Sequence, residues 1–127
     1  MVGLLPALET FMKNFLAIYI GSESSRSNWN KLDEKIRQDR LSAGMKAWGD
    51  WMVTHKASVV VEGNPLGKTK RTASQGIADI RNNMTGYIVV QAESHEAAAR
   101  MFENHPHFMI FPGDAVEIME CLPIPGR

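Results

Sequence analysis

His105-Pro106-His107 sets two imidazoles two residues apart, and imidazole is the side chain that takes up and releases protons near neutral pH. Such a pair could serve a metal site or a proton-transfer site. A metal site needs three or four ligands, and no HxxxH or CxxC spacing completes this one. Glu120, Asp114 and His55 stand at no spacing that supports them as further ligands, so no metal is expected. His105 continues the apolar stripe of Ala98, Met101 and Phe102, which makes it a core-edge or helix C-terminal capping residue. His107 lies beyond the proline, in the stretch leading to the last strand. It is the candidate general acid or base, with Asp114 as its carboxylate partner.

The candidate ligand-binding residues are aromatic or amide side chains. Trp48 and Trp51, at i and i+3 of a helical stretch, could line an aromatic pocket, although tryptophans beside Met45 and Met52 also suit a plain core. Tyr19 and Tyr87 could each carry a useful hydroxyl into a barrel. Asn64 could hydrogen-bond a ligand, and an asparagine before proline is equally a turn residue. The stretch Gly63 to Thr69, GNPLGKT, is not a phosphate loop: three residues separate its glycines where four are needed, and a strand is expected to follow. The serines form no GxSxG elbow. Cys121, the single cysteine, reads as a buried structural thiol.

These residues are positioned by a strand, a capped turn and a helix between Gly86 and Phe108. Tyr87 to Ala92 is β-branched and aromatic, with Tyr87 and Val89 on one face and Ile88, Val90 and Ala92 on the other. Ser94 can cap the helix, Glu96 suits its first turn and can pair with Arg100, and Pro106 should stop it near Asn104. Upstream, Lys13 to Ile20 is a first strand with two apolar faces, followed by a polar loop from Gly21 to Asn28. A helical piece with Leu32, Ile36 and Leu41 follows, then a second piece capped by Ser42 and continuing through Met45, Trp48, Met52 and His55. Gly44 and Gly49 weaken that helix and allow close approach of a neighbour. Ser58 to Glu62 is a short strand, Lys68 to Ser74 and Ile77 to Ile80 form a hairpin, and Ala115 to Cys121 is the last strand.

The chain of 127 residues suits one domain, residues 12–127, preceded by an arm over residues 1–11. Fourteen basic and fourteen acidic residues balance to a formal net charge of zero, which argues against a nucleic-acid partner. Lys68, Lys70 and Arg71 read as a solvated hairpin. No apolar run reaches the roughly 18 residues of a membrane span. A lone cysteine fits a reducing, cytoplasmic compartment. The element order predicts an α+β, ferredoxin-like sandwich, βαββαβ with an extra hairpin. Two helices cover one sheet face only, so strands apolar on both faces predict a homodimer packed sheet to sheet.

Three stretches carry a family resemblance: Trp48-Gly49-Asp50-Trp51, Glu62-Gly63-Asn64-Pro65-Leu66, and Gly86 to Phe108, closed by the strand from Val116 to Cys121. Over roughly residues 13–123 the chain resembles the YCII-related proteins, relatives of the DGPF-domain group. The resemblance implies a dimeric α+β barrel with a cleft in or beside it. One branch of that family includes a dehydrochlorinase acting on a chlorinated hydroquinone, and a His–Asp pair has been proposed as a site in the smaller members. The family's histidine falls at Met45 here. The expected function is a homodimer that binds a small cyclic or aromatic organic molecule in the barrel cleft. The alternatives are a cofactor-independent lyase or isomerase using His107, and a non-catalytic regulatory module.

Overall fold

A computed structural model of the chain describes residues 12–127. The arm expected over residues 1–11 lies outside the described residues. Strand β1 (Lys13–Ile20) leads into helices α1 (Glu23–Asn30) and α2 (Glu34–Thr54). After a 3₁₀ turn, Lys56–Ser58, come β2 (Val59–Val61) and the hairpin β3 (Thr69–Ala73) and β4 (Gly76–Ile80). Then β5 (Met84–Ala92), α3 (His95–Arg100), α4 (Pro106–Met109) and β6 (Ala115–Glu120) complete the order.

The main sheet has the order β2-β5-β1-β6, and every neighbouring pair is antiparallel. This is the expected ferredoxin-like α+β sandwich, the subunit architecture of the α+β barrels, with β3 and β4 as an added two-stranded ribbon. The two central strands are the two whose sequences are apolar on both faces. Alternation sends Phe15, Ala17 and Tyr19 of β1, and Ile88, Val90 and Ala92 of β5, to the helix side, where all six are buried with Trp51, Ala98 and Phe102. Leu16, Ile18, Tyr87 and Val89 share the opposite face and remain half-buried, with no helix over them among the described residues. Among the described residues no helix is long and apolar enough to cross a membrane.

Four local expectations differ from what forms. The polar stretch after β1 is a helix, not a loop. Ser22 caps α1 by accepting from the Ser25 N–H, and the distant Asp114 carboxylate accepts from the Ser22 N–H and the Ser25 hydroxyl. The helix expected in two pieces is one: α2 runs unbroken through Ser42, and Gly44 is tolerated inside it because the Phe111 ring packs where a Cβ would project. Helix α3 stops at Arg100, short of Asn104, which takes a left-handed φ of 57°. Pro106 then starts a helix instead of ending one: its fixed φ and missing N–H suit the first position of α4, and His105 is the N-cap. Cys121, just past β6, is exposed and not a buried thiol.

Candidate functional site

A cavity of about 560 Å³ opens between α2, the start of β5, the loop after β2 and the segment containing His107 and Phe111. Helix α2 contributes Met45, Trp48 and Met52, one turn apart along one face. The opposite wall is Glu62 to Pro65, held against β5 by backbone bonds. The Tyr87 N–H donates to the Asn64 carbonyl at 3.2 Å, the Leu66 N–H donates to that of Thr85 at 2.9 Å, and Pro65 bridges to Gly86. Gly63 has φ 76° and packs so tightly on the Tyr87 carbonyl that no side chain fits there.

His107 is buried at the cavity's edge, and its Nε2 lies 2.7 Å from the Ile20 carbonyl oxygen. A carbonyl can only accept, so Nε2 carries the proton and Nδ1 keeps a lone pair. Burial lowers the imidazole's pKa, and the Ile20 carbonyl and the Asp114 charge pull it partly back. The ring is therefore a neutral base at pH 7. Gly113 packs on the same imidazole and donates its N–H to the His107 carbonyl at 3.0 Å.

His105 is the N-cap of α4: its Nδ1 accepts the His107 N–H at 3.0 Å. It is fully buried, and burial, with the neighbouring His107 and His55, pulls its pKa from 6.5 down to about 4. Its Nε2 is buried without a partner among the described residues, and so is the hydroxyl of Tyr19. Each such orphan costs about 1–3 kcal/mol of desolvation. The Tyr19 ring lies 5.0 Å from Trp48, 5.3 Å from His105 and 5.2 Å from His107. Burial pushes its phenol pKa well above the usual value, so the hydroxyl stays protonated and can donate.

Of the residues singled out in the sequence, Tyr19, Trp48, Asn64, Tyr87 and His107 border this one cavity. Tyr87 does so from the strand: its register opposite Ile18 puts its ring on the uncovered sheet face. Trp51 and Asp114 do not border it. Trp51 is core, stacked at 5.1 Å on Phe102, with its indole N–H donated to the Met101 carbonyl at 2.8 Å. The Asp114 carboxylate is taken up by Ser22 and Ser25, and its backbone N–H donates to Ile20 at 2.8 Å, so it acts on His107 through space and not by a hydrogen bond. Sequence reasoning missed Glu62, Thr85 and Phe111 as cavity residues. Only the place of Glu62, between a strand and a Gly-Asn-Pro turn, was there to be seen. Among the described residues no three histidine, cysteine, aspartate or glutamate side chains group to hold a metal ion.

No family model matches the chain, and no curated protein matches it. Among solved structures it is similar to 5-chloro-2-hydroxyhydroquinone dehydrochlorinase from Burkholderia phenoliruptrix AC1100, in a complex with 2,5-dihydroxybenzoquinone. The two are 19% identical with a TM-score of 0.50, over 86% of this chain and 93% of that one. At that identity the likeness establishes the shared fold, and the YCII resemblance has support at the level of fold alone.

Proposed function

We propose that this chain binds a small ring-shaped organic molecule in the cavity beside His107 and acts on it as a cofactor-independent lyase. One observation carries the reading: a neutral, buried imidazole with an unprotonated nitrogen borders an aromatic-walled cavity of about 560 Å³, a volume suited to a small organic ligand. In an elimination, the ring reacts as a keto tautomer with the leaving group on a saturated ring carbon. Nδ1 of His107 takes the proton of a ring hydroxyl, the O–H electrons form a carbonyl, the ring double bond shifts toward the saturated carbon, and the leaving group departs with its bonding pair. The step is redox-neutral and calls for no nicotinamide, flavin or metal. The dehydrochlorinase with the similar fold was captured with a dihydroxybenzoquinone, which supports the ring-shaped ligand class. Met45, where the family resemblance sets a histidine, borders the same cavity, so in this reading His107 supplies the imidazole from the other wall.

The test is titration with 2,5-dihydroxybenzoquinone, followed by protein-observed NMR, and incubation with a chlorinated hydroquinone, followed by chloride release. Saturable shifts at Trp48 and His107 are expected, with chloride released by wild type and lost in His107→Gln. A protein that binds but releases nothing from chlorinated rings leaves the binding half standing and removes the lyase half. Absence of saturable shifts across a panel of ring compounds removes both.

We also infer a homodimer in which the uncovered sheet faces meet. Leu16, Ile18, Tyr87 and Val89 form a contiguous apolar patch that no element among the described residues covers, and a second copy supplies a matching one.

A further inference from the structure

We infer that Tyr19 selects the ligand, by donating its hydroxyl proton to an acceptor oxygen on the bound ring, a carbonyl or a phenolate. The inference rests on the cavity reading above and names the chemistry of its occupant. Tyr19 is only 5% exposed, borders the cavity, and has a buried hydroxyl with no hydrogen-bond partner among the described residues. Its surroundings are aromatic: Trp48 lies at 5.0 Å and Phe102 at 6.4 Å between ring centroids. Phenylalanine would satisfy such an environment without the desolvation of a hydroxyl, so packing does not account for the oxygen.

The proton stays on that oxygen, since a buried phenolate with no cation beside it is disfavoured. Tyr19 therefore offers a donor. His107, with its ring 5.2 Å away, offers an acceptor in Nδ1. A ligand that satisfies both carries an acceptor oxygen for Tyr19 and an acidic hydrogen for His107. Phenols, enols and hydroxylated ring ketones have both groups, whereas a plain hydrocarbon ring or a ring amine has no oxygen for Tyr19. If negative charge develops on the ring oxygen as His107 removes the proton, the same Tyr19 hydrogen bond strengthens.

The test compares phenol with toluene, rings of like shape that differ in the oxygen, on wild type and Tyr19→Phe, by isothermal titration and protein-observed NMR. Wild type is expected to prefer phenol by roughly tenfold, and Tyr19→Phe to bind the two alike. Tyr19→Phe is also expected to melt no lower than wild type, because the hydroxyl it removes has no partner among the described residues. A Tyr19→Phe protein that keeps the preference, a wild type that has none, or a marked drop in melting temperature overturns the assignment. Equal binding of both rings by wild type sinks Tyr19 alone and leaves the cavity reading intact, whereas binding of neither ring sinks both.

Discussion

The imidazole Nε2–H of His107 donates to the carbonyl of Ile20, the last residue of β1, at 2.7 Å. One bond thus does two jobs: it ties the segment after α3 to the sheet, and it fixes the tautomer that leaves Nδ1 basic. The two roles separate by substitution. His107→Gln keeps a donor at nearly the same reach and is expected to melt within a few degrees of wild type while losing chloride release. His107→Ala loses ring and bond together and is expected to cost about 2 kcal/mol in urea unfolding. Equal losses of stability in the two variants would show that the ring's packing, not its bond to Ile20, is what holds the segment.

Gly113 is the second support of that ring. A Cβ at this position would run into both the imidazole and the carbonyl of His107, and backbone cannot yield as a flexible side chain does. Gly113→Ala is expected to destabilise by about 1–3 kcal/mol and to weaken ring binding, although residue 113 itself does not border the cavity. Normal ligand titration by a folded Gly113→Ala protein would count against the placement of His107 described above.

The two glycines of α2 should respond differently to alanine. A Cβ at Gly49 meets nothing within 4 Å, so Gly49→Ala should stabilise by about 0.5–1 kcal/mol through helix propensity alone. At Gly44 the same gain is opposed by the Phe111 ring, which must move from where it borders the cavity. Gly44→Ala should therefore show no net gain in thermal denaturation and an altered ligand affinity. If both substitutions stabilise equally, Phe111 is free to move aside.

Acid should unfold the protein partly through His105. Its pKa falls from 6.5 to about 4 on folding, so below 6.5 the unfolded chain takes up a proton that the folded chain refuses. Stability present at pH 7 is lost as pH falls through that window and changes no further from this group below about 4. By pH 5 the loss from this one group is about 2 kcal/mol, and His107, shifted in the same direction, adds to it. His105→Asn keeps an N-cap acceptor without a titrating ring, so urea midpoints measured from pH 7 to pH 5 should fall less steeply in the variant. An unchanged slope would show that His105 is protonated in the folded protein.

The sheet-face dimer predicts a mass of two chains by light scattering at micromolar concentration. Ile18→Glu places a charge in the middle of the apolar patch and should give a monomer that keeps the fold by circular dichroism. A wild-type monomer at that concentration removes the dimer.

Much of the sandwich is legible in short windows because its signals are local. The two-faced strands, read as Lys13 to Ile20 and Tyr87 to Ala92, announce themselves as short runs of apolar, β-branched and aromatic residues, and they become the two central strands, the second starting earlier, at Met84. The Ser94 cap forms as its position implies, accepting from the Ala97 N–H at 3.0 Å, and Glu96 pairs with Arg100 at 2.9 Å. Each of these is settled by residues within one helical turn or by neighbours on one strand. What tertiary structure alone decides depends on residues far apart in the chain. Helix α1 forms in a sequence as polar as a loop, and a carboxylate 92 positions away reinforces its N-terminus. Trp48 and Trp51 have the same local signature, yet Met101 and Phe102 claim Trp51 for the core and leave Trp48 to the cavity. Tyr19, Asn64 and His107 come to border one cavity because β1 pairs with β5, the loop after β2 lies along β5, and the segment after α3 is bonded to the end of β1. Periodicity tells which way a side chain points from its own strand or helix. What it then faces is set by the pairing of distant segments, which no local window contains.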